Sequence, residues 1–214
     1  MKTKAIIKSS LAAIPHNIAG KKLPADPLKL FRSWYHLAKS SGEHEPEAMA
    51  LATADLRGKP SLRMVLYKEV LPAGFCFFTN YESRKGIEIL SNPNASLLFY
   101  WPGLYRQVRI EGKIKKCPSG ISDNYFNSRP LGSRINASVS PQSAVIPDRL
   151  FIEAMAEAFQ RDLNQNEPKR PANWGGFVLK PERMEFWTGR ENRLHERILY
   201  RKTGKVWITE MLAP

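Results

Sequence analysis

Cysteine is scarce, with only Cys76 and Cys117 in 214 residues. They lie far apart, each inside an apolar or alternating segment. That excludes a disulfide framework and a cysteine-based metal cluster, and it suits a reducing, cytoplasmic compartment. The four histidines, His16, His36, His44 and His195, never pair at helical or strand spacing, so no metal is expected. No stretch reaches the roughly 20 apolar residues of a membrane-spanning helix, and no membrane association is expected. The N-terminal segment lacks the continuous apolar core of a signal peptide, because Lys8 splits it and Pro15 shortens it. Residues 1–22 read instead as a flexible basic arm preceding one domain over 23–214. No strand-like run leads into a GxGxxG or Walker loop, so the common nucleotide-binding folds lack their fingerprint. Repeats, low-complexity tracts and interdomain linkers are also missing.

What is present is an ordinary globular composition, 43% hydrophobic and 10% aromatic, with an excess of positive charge. At this length roughly 70% of the unfolded surface can be buried, so a core forms without staples. The formal net charge of +13 admits nucleic acid, a membrane surface or small phosphorylated ligands as partners. A nucleic-acid groove calls for aromatics interleaved with exposed cations. Here the cations are dispersed, and no nucleic-acid partner is expected.

Asp26-Pro27 is a helix start, an acidic cap followed by proline at the first helical position. Leu28, Phe31, Trp34, Tyr35 and Leu37 form its apolar stripe, and Ser41-Gly42 ends it. Strands are predicted over 49–54, 62–68 and 75–79, the first two joined by the turn Arg57-Gly58-Lys59-Pro60. Ser83 is the expected N-cap of a short helix over 84–90. The apolar run 95–101 reads as a central buried strand. Alternation of Val108, Ile110 and Ile114 with polar neighbours marks a half-exposed one. Helical patterns follow at about 119–128 and 148–164, the second with Phe151, Ile152, Met155, Phe159 and Leu163 on one face. Strands return at 176–179, 184–187, 194–200 and 205–211. This order predicts an antiparallel β-barrel with peripheral helices, a mainly β protein of the α+β type.

Several positions could carry chemistry. Arg84 and Lys85 follow Ser83 at a helix N-terminus, where free N–H groups and the helix dipole already favour an anion. Arg193, His195 and Arg197 stand at i, i+2 and i+4 of a predicted strand, hence on one face, suited to a phosphate, a carboxylate or a ring carbonyl. Tyr125 and Arg129, four apart on a short helix ending at Pro130, could converge with Ser133 on a phosphate. Arg63 and Lys68, five apart on a strand, should point to opposite faces, so meeting one ligand would need a bulge or a ligand over the edge. Gln142-Ser143 lies in a loop, and Trp187 closes a strand. No nucleophile–base pair is evident.

Nine segments in order, LPADPLKLF, RMVLYK, FFTNYESRKG, RQVRIEGK, YFNSRP, SPQS, WGGF, EFWTGRENRLHERILY and the terminal LAP, make the chain resemble the FMN-dependent pyridoxamine/pyridoxine 5′-phosphate oxidases from about Leu23 to Pro214. The resemblance implies a split β-barrel homodimer with FMN at the subunit interface. It implies oxidation of pyridoxamine 5′-phosphate and pyridoxine 5′-phosphate to pyridoxal 5′-phosphate, with O2 reduced to H2O2. By motif, FMN contacts fall on Arg63, Met64, Val65, Leu66, Tyr67, Lys68, Phe78, Thr79, Arg84, Lys85, Gln107, Gln142, Ser143, Trp187 and Arg197. The substrate phosphate falls to Lys68, Tyr125, Arg129 and Ser133. Arg193, Leu194 and His195 lie against the substrate, with Arg193 and His195 as the catalytic pair. An FMN-binding barrel without this activity would keep the first set and lose the second. The family's arm often carries an arginine and a tyrosine that fold over the substrate; here Ser10-Leu11-Ala12-Ala13 stand in their place.

Overall fold

The computed structural model describes residues 23–69, 71–72, 74–163 and 166–214. The arm over 1–22, with Lys8, His16 and Ser10-Leu11-Ala12-Ala13, lies outside the described residues. Helix α1 (Pro27–Ser40) starts where the sequence demands: Asp26 Oδ1 accepts from Leu28 N at 3.0 Å and Pro27 occupies the first position. Its stripe of Phe31, Trp34, Tyr35 and Ala38 is buried. Phe31 meets Phe75, Phe99 and Tyr67 at centroid distances of 4.7, 4.9 and 5.6 Å, and Trp34 meets Phe186 at 5.2 Å. These aromatic contacts fasten the helix to the sheet and form the middle of the core.

The sheet is antiparallel throughout. Its strands are β1 (Ala48–Ala54), β2 (Pro60–Leu66), β3 (Phe75–Asn80), β4 (Asn94–Trp101), β5 (Arg106–Lys116), β6 (Trp174–Thr188), β7 (Glu196–Thr203) and β8 (Val206–Leu212), with α2 (Arg84–Ser91) between β3 and β4. They lie in the order β2-β1-β4-β5-β6-β7-β8. β3 pairs with the first half of β6, from Trp174 to Leu179, and β7 with the second, from Arg183 to Thr188. Beyond β2, Lys68 makes a single bridge to Cys76 on β3, with Lys68 N donating to Cys76 O at 2.8 Å. The sheet therefore curls back on itself without closing, as a split barrel does.

Helices α3 (Ser119–Asn127), α4 (Leu131–Val139) and α5 (Arg149–Asp162) lie between β5 and β6. None of the described helices is long and apolar enough to cross a membrane.

The structure corrects several boundaries. The strands expected at 176–179 and 184–187 are one fifteen-residue strand, β6. Pro181 resembles a breaker, but the register shifts between Glu111 and Gly112, and this bulge carries the strand past the proline. The run 95–101 is central in the sheet yet buried on one face only: Leu97, Phe99 and Trp101 point inward while Tyr100 is exposed. The first helix after β5 ends at Asn127, so Arg129 lies past it, and α4 was not foreseen. No residue of α5 is buried, despite its apolar stripe. Glu191–Arg193 form a 3₁₀ turn and β7 begins at Glu196, so Arg193 is not on a strand. Asn192 and Arg193 take φ of 54° and 59°, which no strand tolerates. The one-face argument for Arg193, His195 and Arg197 therefore fails.

Gly112 sits at the bulge where a Cβ would come 2.0 Å from the backbone oxygen of Lys180. Gly112→Ala must push β5 and β6 apart at their register shift, a destabilisation of about 1–3 kcal/mol. Urea unfolding checks it; an unchanged midpoint would contradict this account of the bulge.

Candidate functional site

The alternation of β2 sorts the cations of its motif. Ser61, Arg63, Val65 and Tyr67 face inward, while Leu62, Met64 and Leu66 are exposed, so Arg63 and Lys68 point to opposite sides. No bulge reconciles them; each joins a different cluster.

The first cluster gathers at the start of α2. Ser83 caps the helix, its Oγ accepting from Gly86 N at 3.3 Å. Lys85 Nζ donates to Thr79 Oγ1 at 3.1 Å and to Gln142 Oε1 at 3.2 Å. Thr79 Oγ1 also donates to Gln142 Oε1 at 2.8 Å, so strand, helix and loop meet on one amide. Burial, and then the nearby Arg63, lower the Lys85 pKa. Ser143 follows in left-handed backbone, φ 77°, a strained conformation of the kind stored at binding loops. Gln142, Ser143, Arg84 and Glu88 border a groove of ≈ 470 Å³.

Glu88, one turn into α2, was not singled out in the sequence; its signal is the i, i+4 spacing from Arg84. It is 6% exposed. Its Oε2 accepts from Thr53 and Ser61, both at 2.5 Å, and from Arg63 Nη2 at 3.2 Å. Its Oε1 accepts from Arg84 Nε at 3.0 Å. Burial alone would raise its pKa, but the hydrogen bonds from Ser61, Thr53, Arg84 and Arg63 prevail and hold it down at about 2.

The second cluster lies on the other face of β3, under α3. Phe78 stacks on Tyr125 at 3.8 Å, and Trp174 lies parallel to Tyr125 at 6.3 Å. Lys68 Nζ stands 6.0 Å from the Tyr125 ring, and the Arg129 guanidinium 4.7 Å from the Trp174 ring. Arg129 Nη1 is buried with no hydrogen-bond partner among the described residues, and burial lowers the pKa of the group. A half-buried guanidinium whose Nη1 is buried and unpartnered, beside a lysine and a phenol, suits a phosphate. Ser133 is half-buried on the first turn of α4.

The third cluster occupies the far end of β6. Register places Gln107, Trp187 and Arg197 in one row across β5, β6 and β7. Glu185, 4% exposed, accepts from Arg197 Nε at 2.8 Å and Arg109 Nη2 at 2.6 Å. The bond with Glu185 raises the Arg197 pKa. The His195 ring lies 4.7 Å from Trp187, and its Nδ1 accepts from Arg190 N at 3.2 Å, which leaves the proton of the neutral ring on Nε2. Arg193 and Leu194 are exposed beside it. Of the remaining motif residues, Tyr67 places its ring in the core, Val65 packs against that core, and Met64 and Leu66 are exposed.

The first two clusters and the third do not meet within one chain. Twelve positions of β6 separate Gly175, opposite Thr79, from Trp187, opposite Arg197. At about 3.3 Å per residue that is roughly 40 Å along the strand.

This open, curled antiparallel sheet with helices at its rim is the FMN-binding split-barrel fold. A solved FMN-binding protein related to pyridoxamine 5′-phosphate oxidase, from Nostoc punctiforme PCC 73102, shares it with a TM-score of 0.71 at 18% identity, covering 90% of this chain and 100% of that one. Residues 41–161 match the family model described as pyridoxamine 5′-phosphate oxidase, and 174–214 match the pyridoxine 5′-phosphate oxidase C-terminal dimerisation region. The chain belongs to the pyridoxamine 5′-phosphate oxidase family. A pyridoxine/pyridoxamine 5′-phosphate oxidase of Ectopseudomonas mendocina (strain ymp) is 50% identical over 194 residues, 89% of this chain and 90% of the relative. PhzG from Burkholderia lata 383, solved in complex with tetrahydrophenazine-1-carboxylic acid, is 33% identical with a TM-score of 0.84 over 89% of this chain and 94% of that one.

Glu88 also makes an acid prediction. Its folded pKa of about 2 lies below the ordinary 4.5, so its contribution to stability is full above pH 4.5 and is lost as the pH falls towards 2. Urea midpoints between pH 6 and pH 3 should fall less steeply for Glu88→Gln than for the parent chain. Parallel curves would contradict the assignment.

Proposed function

We propose that the chain oxidises pyridoxamine 5′-phosphate and pyridoxine 5′-phosphate to pyridoxal 5′-phosphate, with FMN as cofactor and O2 as the final acceptor, in sites formed by two copies of the chain. The observation that carries this reading is the separation of the clusters along β6. A ligand as small as FMN cannot touch both ends of one strand, but a symmetric pair of chains sets the start of β6 in one against the end of β6 in the other. The C-terminal match to a dimerisation region and the exposed Leu62, Met64 and Leu66 of β2 agree with it.

The donors fit the cofactor. Arg84 gives its Nε to Glu88 and has no partner for its Nη groups among the described residues. Together with Gln142 and Ser143 it lines a groove at a helix N-terminus, and Lys85 is bonded to that Gln142, the chemistry a phosphate monoester needs. Gln107, Trp187 and Arg197 of the second copy meet the remainder. FMN, when bound, supplies the two-electron acceptor that O2 reoxidises, releasing H2O2.

The chain's own residues bind, orient and manage charge. Lys68, Tyr125, Arg129 and Ser133 hold the substrate phosphate, with the Arg129 Nη1 that now lacks a partner as its anchor. The Phe78–Tyr125–Trp174 stack keeps the phenol in place. His195 presents Nε2–H, fixed by the bond at Nδ1, and Arg193 presents its guanidinium from a left-handed turn; both orient and polarise the substrate at its 4′ carbon. Pyridoxine 5′-phosphate and O2 give the aldehyde and H2O2; the amine substrate also consumes one water and releases ammonia. Lys68, Tyr125 and Arg129 standing together disfavour a barrel that binds FMN without this reaction.

Purified protein should show flavin bands and consume O2 on addition of pyridoxamine 5′-phosphate. Arg193→Ala should lower kcat by about 100-fold or more while flavin stays bound. Unchanged turnover would remove Arg193 from the reaction, and a yellow parent protein inert to both substrates would overturn the oxidase reading.

A further inference from the structure

Glu88 borders the groove, and its carboxylate holds other side chains around it. Its carboxylate accepts four hydrogen bonds, two from hydroxyls of β1 and β2 and two from the guanidinium groups of Arg63 and Arg84. Arg63 is held on every side, by Leu51 O at 3.1 Å, Thr53 Oγ1 at 2.5 Å, Ser61 Oγ and Glu88. Arg84 is different: 60% of its side chain is exposed, and its single anchor is the Nε bond to Glu88. An exposed arginine on a first helical turn, where the dipole disfavours a cation, would sample many rotamers. Anchored through Nε, it keeps both Nη groups side by side for a forked contact.

We propose that Glu88 is a positioning residue for the cofactor phosphate, fixing Arg84 so that its two Nη groups face the groove and bracing Arg63 behind it. This rests on the reading that the groove at α2 takes the phosphate of FMN. Two accounts of Glu88 predict opposite signs. As a bare negative charge it repels a phosphate, so its removal should tighten FMN. As a positioning group its removal frees Arg84, so FMN should bind more weakly although the site has become more positive. A purely structural role would weaken every flavin alike.

The test titrates deflavinated protein with FMN and with riboflavin, which lacks the phosphate, following flavin fluorescence in the parent chain, Glu88→Gln, Arg84→Ala and the double variant. Glu88→Gln should weaken FMN by about tenfold, the loss of one charge-assisted hydrogen bond, and leave riboflavin unchanged. In the Arg84→Ala background it should cost much less, because it acts through that arginine. Unchanged or tighter FMN, equal losses for FMN and riboflavin, or full additivity with Arg84→Ala would each overturn the proposal. A parent chain that prefers FMN no more than riboflavin would overturn the phosphate groove itself. Arg84→Lys guards against a Glu88 variant that does not fold: it keeps the charge but gives up the Nε anchor and the fork. FMN affinity should fall for it too, and an unchanged value would show that orientation at this position is irrelevant.

Discussion

β6 runs fifteen residues and is paired on both sides, with β5 along one edge and β3 then β7 along the other. Because β3 takes only its first half and β7 only its second, the strand carries two separate groups of candidate site residues at its two ends. The bulge opposite Glu111 and Gly112 lets the pairing continue past Pro181, so the two ends stay on one rigid element. Everything that follows about the site derives from this length. On the proposed reading, residues that a small ligand needs together are held apart in each chain, and association of two chains would bring them together.

Each end is organised around a buried glutamate holding two arginines. Glu88 binds Arg63 and Arg84; Glu185 binds Arg109 and Arg197. A buried carboxylate is costly unless its lone pairs are filled, and here guanidinium donors, with hydroxyls at Glu88, fill them. In return the cations keep fixed orientations at the rim of the sheet. Part of the positive charge is thus neutralised inside, while Arg84 keeps an exposed guanidinium anchored only through Nε, and Lys68 and Arg129 stand against the Tyr125 and Trp174 rings.

Much of the architecture was legible because local signals agreed. Asp26-Pro27 and the Phe31, Trp34, Tyr35 stripe specify α1, Ser83 specifies α2, and period-two alternation specifies β5. The opposite facing of Arg63 and Lys68 also followed from strand geometry alone. Other features depend on distant partners. Pro181 reads as a break unless one knows that β5 supplies a glycine opposite it. The turn at Glu191–Arg193 hides in a segment whose spacing imitates a strand, since nothing local announces φ above 50° at Asn192 and Arg193. Glu88 reads as a surface helix residue until Thr53, Ser61 and Arg63 arrive from other strands. The row of Gln107, Trp187 and Arg197 came from family motifs, and the register of three strands supplies its physical basis.

The most direct test of the two-chain site is to mix two impaired variants, Lys85→Ala on the first turn of α2 and Arg193→Ala beyond the far end of β6, unfolding and refolding them together with FMN. If each site takes Lys85 from one chain and Arg193 from the other, half the dimers are mixed and each mixed dimer holds one intact site. The mixture should then recover about one quarter of the parent oxygen uptake with pyridoxamine 5′-phosphate. Activity no higher than that of either variant alone, in a mixture shown to contain mixed dimers, would contradict a site shared between chains.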